Sequence, residues 1–244
     1  MELYIIRHAQ SANNVSMMYD PKDRQADPPL TELGFRQAEA VARYLVEGAD
    51  IDTWVGQRND EKRMGRGFGI SELYCSPMLR TLQTCQPISA ALGVKTAVWV
   101  ELYEHGGLHK DYGDERGVVG MPGLSRSEMA RMFPTYELPE GVTEAGWYEP
   151  GLGEEDRVGC QARAIRVANM LWERAGEDAR IGLVTHGNFA DELMKALLNL
   201  LPGYGLSIPH YNTGITRFDL RPEHHIRLRY FNRVSHLEAE MVSG

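Results

Sequence analysis

The sequence predicts an α/β protein with a mostly parallel central sheet and helices on both faces. Three observations predict it. Short apolar, β-branched runs alternate with longer amphipathic segments, the pattern of βαβ units. Reactive polar residues stand just after the apolar runs, where an open parallel sheet binds its ligands. The stretches 214–219 and 225–230 alternate like an antiparallel hairpin at the sheet edge.

Taken in order, the first strand is expected at Leu3–Ile6. Thr31 can cap a helix over 32–47, in which Leu33, Ala38, Val41, Ala42 and Leu45 recur on one side. Residues 56–69 are glycine-rich and charged and read as a surface loop, with the run Arg58–Arg66 solvated. A strand at 71–75 leads into a helix from Pro77 to Leu92, with proline where a helix can begin. Another strand is expected at 96–102. Residues 105–153 carry many Gly and Pro and little periodicity, apart from a short helix at 125–132. They read as an insertion that caps a site. A helix over 155–175, the strand Arg180–Thr185 and a helix over 189–200 follow. No repeat, heptad or low-complexity tract interrupts the 244 residues, so one domain is expected.

Composition narrows the function. A net charge of −8 argues against a general binder of nucleic acid or anionic membrane. No stretch approaches the roughly 20 apolar residues of a membrane helix. The opening MELYIIRHAQ lacks the features of a signal peptide, so a cytoplasmic protein is expected. Cys75, Cys85 and Cys160 show no metal-type spacing and read as buried reduced thiols. There is no dinucleotide fingerprint, P-loop or Cys/His cluster, and neither a cofactor nor a metal is expected. His105 and His109 have the spacing of two helical metal ligands, but Gly106-Gly107 makes a helix there improbable, and both read as loop residues. His224-His225 reads as a surface turn, and the sequon Asn14-Val15-Ser16 carries no weight in a cytosolic chain.

Four polar clusters follow the expected strands: Arg7-His8, Ser76 to Arg80, Glu104 and His186-Gly187. Brought together they form a phosphoryl-transfer kit of a nucleophilic imidazole, cations for the equatorial oxygens and one carboxylic acid for the leaving group. An acidic chain repels a phosphorylated substrate overall, so such a substrate needs these local cations.

The residues around these clusters resemble the histidine phosphatase (phosphoglycerate mutase-like) superfamily. Arg7-His8-Ala9-Gln10-Ser11-Ala12-Asn13-Asn14 is similar to its Arg-His-Gly motif. Leu30 to Ala38 matches the Leu-Thr-x-x-Gly-x-x-Gln-Ala helix start, and Ser76-Pro77-Met78-Leu79-Arg80 with Thr84 matches the Ser-Pro-x-x-Arg-x-x-x-Thr segment. Leu102-Tyr103-Glu104 resembles the acid-bearing region, and Thr185-His186-Gly187 the second histidine motif. These segments keep family order from residue 3 to about 216. Ala9 and Gln10 stand where Gly and Glu are common; the Cβ at position 9 disfavours positive φ there but removes no chemical group.

The resemblance implies a phosphoglycerate mutase-like fold and a phosphohistidine on a neutral His8. Arg7, Arg80 and His186 would surround the phosphoryl oxygens, Asn14 would add a neutral donor, and Glu104 would serve as general acid and base. Glu101, one turn away, is the alternative acid. The leading expectation is metal-independent hydrolysis of a phosphorylated small molecule, with a phosphoprotein as another candidate substrate. Mutases of this family carry a Glu-Arg-His-Tyr-Gly stretch and an Arg-Arg pair; here the stretch reads Glu104-His105-Gly106-Gly107 and no Arg-Arg occurs. That lowers the phosphoglycerate mutase alternative. An inactive phospho-ligand binding module would not need the acid.

Overall fold

A computed structural model describes residues 1–15, 24–48, 67–200 and 205–244. Residues 56–66 of the charged loop expected at 56–69, with Arg58–Arg66, and Ser16 of the sequon lie outside the described residues. The strands of the main sheet are β1 (Glu2–Arg7), β2 (Glu72–Cys75) and β3 (Thr96–Val98), then, past a small pair β4 (His109–Asp111) and β5 (Val118–Gly120), β6 (Arg180–Thr185), β7 (Ile215–Arg221) and β8 (His225–Arg233). They run in the order β3-β2-β6-β1-β7-β8, parallel from β3 to β1. β7 and β8 form the expected antiparallel hairpin at the edge. The fold is thus the mixed α/β architecture that the alternation implies.

The centre of the sheet falls at β1 because Leu3-Tyr4-Ile5-Ile6 is apolar without interruption, as a strand covered on both faces must be. Successive side chains leave a strand on opposite faces. Tyr4 and Ile6 enter a core with Val41 and Leu45 of α2 (Glu32–Glu47) and Leu82 and Ile88 of α3 (Leu79–Leu92). Leu3 and Ile5 enter a second core with Val167 and Leu171 of α5 (Arg157–Glu173) and Phe189 and Leu193 of α6 (Gly187–Leu197). α1 (Ala12–Val15) is a single turn after the first loop.

Local side-chain caps set the starts of α2 and α5. Thr31 Oγ1 accepts the Gly34 N–H at 3.0 Å, and Asp156 does the same for Gly159 at 2.7 Å. A Cβ on Gly34 would stand 2.1 Å from the Gln10 carbonyl oxygen, so α2 packs this closely on the loop after β1 only because the residue is glycine.

Three expectations of element ends are corrected. The strand at 96–102 stops at Val98 and continues as a 3₁₀ turn over Val100–Leu102, because its neighbour β2 ends at Cys75 and offers no further ladder. α3 begins at Leu79, with Met78 extended as its N-cap residue and Pro77 outside it. α6 begins at Gly187 rather than 189 and ends at Leu197 rather than 200, its first N–H groups being taken by a side chain from elsewhere in the chain. The 105–153 segment is more ordered than its composition suggests. Beside the expected short helix, α4 (Arg126–Met132), which carries a capping box between Ser125 and Glu128, it holds the β4-β5 pair. Its Met129, Phe133 and Trp147 join the core that α3 also enters. Cys75, Cys85 and Cys160 are free and buried. His224 is an exposed turn residue, and His225 opens β8. No helix among the described residues is long and apolar enough to cross a membrane.

Candidate active site

Beyond the carboxyl ends of β1, β2 and β6 lies a cavity of about 560 Å³. His8, Arg7, Arg80, Glu104 and Asn14 all reach it, and His105 and His109 line its insertion side. The end of β1 holds His8 in place, since its N–H donates to the Thr185 carbonyl at 2.8 Å.

His8 is 2% exposed, and its Nδ1 lies 2.7 Å from the Ala9 carbonyl oxygen. A carbonyl only accepts, so Nδ1 carries the proton and Nε2 keeps its lone pair. Arg80 Nε donates to that Nε2 at 3.2 Å. Burial, then the Arg80 and Arg7 guanidinium charges, hold the ring's pKa well below the usual imidazole value, against a small opposing pull from the Ala9 carbonyl. The imidazole is therefore neutral at physiological pH.

Arg7 ends β1, and its Nη1 donates to the His210 carbonyl. Arg80 stands in the first turn of α3 with its side chain 10% exposed. Asn14 Oδ1 accepts from both Ser11 N–H and Oγ at 2.9 Å, which leaves the amide NH₂ as its donor. Glu104 follows the 3₁₀ turn. Its Oε1 accepts the His105 and Phe189 N–H groups at 2.9 Å, and its Oε2 accepts that of Asn188 at 3.3 Å. The carboxylate thus occupies the N-terminus of α6. Glu101 does not line the cavity and instead accepts from Arg166 Nε at 2.9 Å.

A family profile for the histidine phosphatase superfamily (branch 1) matches residues 3–55 and 61–233. The chain belongs to that superfamily. No curated protein is similar enough in sequence to count as a relative. Among solved structures it is similar to Bacillus stearothermophilus YhfR, at 21% identity and a TM-score of 0.57, covering 97% of this chain and 99% of that one. A mycobacterial glucosyl-3-phosphoglycerate phosphatase matches at 22% identity and a TM-score of 0.54, covering 96% and 99%. A phosphoserine phosphatase from Entamoeba histolytica matches at 20% identity and 0.54, covering 97% and 99%. At these identities the likeness is one of fold.

Within this superfamily member, one expected residue sits differently from its sequence reading. His186 is fully buried, with its ring centroid 5.1 Å from that of His8 and its Nε2 2.8 Å from Ser76 Oγ. It stands behind His8 rather than on the cavity wall. Burial, then Arg80 and His8, push its pKa well below the usual value. Its Nδ1 is buried without a hydrogen-bond partner among the described residues. The reason is its backbone position, since it is the N-cap residue of α6 and the Ser76 hydroxyl takes the outer nitrogen.

Other residues of the site carry no sequence signal of their own. Asn212 Nδ2 donates to the His8 carbonyl at 3.0 Å, and the Thr213 N–H donates to that of Arg7 at 3.1 Å. Thr213 does so at φ 57°, a strained backbone for a β-branched residue. Asp27 accepts the Leu79 N–H at 2.9 Å and stands 3.9 Å from Arg80 Nη1.

Proposed function

We propose that this protein hydrolyses phosphomonoesters through a phosphohistidine on His8, without a metal. The observation that carries the reading is the ring of His8, neutral and fixed in one tautomer with an unprotonated Nε2 among two guanidinium groups. In the first step Nε2 attacks phosphorus in line, the ester P–O bond breaks, and Glu104 gives its proton to the leaving oxygen. In the second step a water attacks the phosphohistidine, Glu104 takes the water's proton, and the P–N bond breaks to return neutral His8 and inorganic phosphate.

Arg80 must turn from Nε2 to the phosphoryl oxygens as substrate enters. Arg7 and the Asn14 amide complete the set of donors in this reading, and His186, off the cavity wall, backs the His8 ring at a centroid distance of 5.1 Å. Arg7 and Arg80 bring positive charge that a metal would otherwise supply. Among the described residues no group of three His, Cys, Asp or Glu side chains is arranged to hold an ion. The insertion 105–153 serves as a cap within one catalytic domain, and its His105 and His109 bear on substrate choice. The phosphatases among the structural neighbours support a phosphorylated small molecule as substrate.

The test is a phosphomonoester panel assayed with and without chelator, followed by rapid acid-free quench. Turnover should survive chelator, His8→Ala should abolish it, and the trapped label should be acid-labile and map to His8. Label on serine or aspartate, or substantial turnover by His8→Ala, would sink the mechanism.

A further inference from the structure

Asp27 lies on a segment whose other residues face the cavity. Arg24, Gln25, Ala26 and Pro28 line it, and Asp27 does not. Its carboxylate turns inward instead, where Oδ1 accepts the Leu79 N–H at 2.9 Å, one residue before Arg80. The segment is pinned on both sides. Asn13 and Gln25 exchange two hydrogen bonds at 2.9 and 3.2 Å, and the Leu30 N–H donates to Gln83 Oε1 at 2.8 Å. Asp27 is therefore placed before any substrate arrives.

Arg80 uses its two edges in different directions. Nε donates to His8 Nε2, and Nη1 stands 3.9 Å from Asp27 Oδ1. The side chains of Arg80 and Asp27 are only 10% and 17% exposed, so water screens this pair little. We infer that Asp27 is a positioning residue for Arg80, holding one edge of the guanidinium so that the other is presented to His8 and to an incoming phosphoryl group. The inference rests on the phosphatase reading given above.

The charge state of the pair changes in the working range of pH. Burial raises the Asp27 carboxyl to about 6, against the opposing pull of Arg80 and the Leu79 N–H. Those two groups, both on α3, are the ones that bear on Asp27; Arg80 in turn feels Glu104, Arg24 and Arg7. Above about pH 6 the pair is ionic. Below it, Asp27 is a neutral acid and its hold on Arg80 weakens.

The variant Asp27→Asn keeps the size and the acceptor for Leu79 while removing the charge, so it mimics the protonated acid at every pH. The measurement is kcat/KM on nitrophenyl phosphate for both proteins from about pH 4.5 to about pH 8. The ratio of wild type to variant cancels the substrate's own second ionisation near pH 6. It should stand at roughly ten- to a hundredfold at the alkaline end, the scale of a misplaced catalytic contact. It should fall toward one as pH drops through about 6.

Thermal unfolding supplies a second readout. A carboxyl whose folded pKa is raised contributes stability below its unfolded value and loses it as pH rises through the folded one. Asp27→Asn should therefore melt at or above the wild-type temperature at the alkaline end, with the difference vanishing near pH 4. A merely structural residue would give a lower melting temperature and a ratio independent of pH, and that pair of results overturns the inference. If Asp27→Asn does not fold, Asp27→Ser, which keeps an oxygen for the Leu79 N–H, undergoes the same measurements under the same criteria. A wild type that turns over no phosphomonoester would sink the phosphatase reading and this assignment with it; turnover with a flat ratio would remove the assignment alone.

Discussion

His8 keeps its lone pair because separate neighbours act on one ring: the Ala9 carbonyl fixes the proton on Nδ1, and burial with two guanidinium groups disfavours a second proton. Ala9 meets this demand without glycine, since it is not among the residues at positive φ. The two candidate acids separate just as sharply. Glu104 lines the cavity, whereas Glu101 spends its carboxylate on Arg166 outside it. A general acid matters most when the leaving alkoxide is poor. Glu104→Gln should therefore lose on the order of 10²–10⁴-fold on alkyl phosphates and far less on nitrophenyl phosphate. Glu101→Gln should leave both rates nearly unchanged. The reverse pattern would move the acid to Glu101, and equal losses on both substrates from Glu104→Gln would leave Glu104 a positioning role alone. At this scale the sequence singled out Arg7, His8, Arg80 and Glu104, and all four line one cavity. It was silent on Asp27 and Asn212, whose roles come from contacts 52 and 204 residues away in the chain.

Two helices decide where Glu104 stands. α6 offers it the N–H groups of Asn188 and Phe189, and α5 braces the turn before it through Arg163. Arg163 is 1% exposed, grips Glu155 through two nitrogens at 2.9 and 2.6 Å, and donates to the Glu101 and Tyr103 carbonyls at 2.7 Å. Its guanidinium also lies over the Tyr103 and Phe189 rings. Arg163→Met fills similar space but leaves the Glu155 carboxylate, 11% exposed, without its cation. The expected loss is about 3–5 kcal/mol of stability by denaturant unfolding. At a temperature where the variant is still folded, turnover of alkyl phosphates should fall more than that of nitrophenyl phosphate, because the turn carrying Glu104 has lost its brace. Unchanged stability would show that the Arg163 network is dispensable. Periodicity found α2, α3 and α5 because their buried positions recur every three or four residues. It overran β3 and started α6 late because those ends are set by a missing ladder partner and by Glu104, neither of which is local.

On the scale of the whole molecule, a chain of net charge −8 sets Arg7, Arg24 and Arg80 against Glu104, Asp111 and Glu154 around one cavity, so the lining is formally balanced where the chain as a whole is acidic. The same site is tied to both extremes of the sequence. Gln37 Nε2 donates to the Met241 carbonyl at 2.7 Å and to Ser243 Oγ at 2.9 Å, and Ser243 Oγ donates at 3.0 Å to Asn212, which holds the His8 carbonyl. The sheet order has a related effect. β1 lies between β6 and β7, which begin at residues 180 and 215 and so follow it in synthesis. During synthesis both edges of this apolar strand stay open until β6 and β7 have left the ribosome, and open apolar edges invite pairing with other chains. A fragment ending near residue 175 is expected to show no cooperative unfolding transition and no trapped phosphohistidine; a cooperative melt from it would show that α2, α3 and β2 suffice to shelter the strand. His8 is thus translated well before β6 and β7, which complete its surroundings, so until they emerge a nascent chain carries it as an ordinary, harmless imidazole.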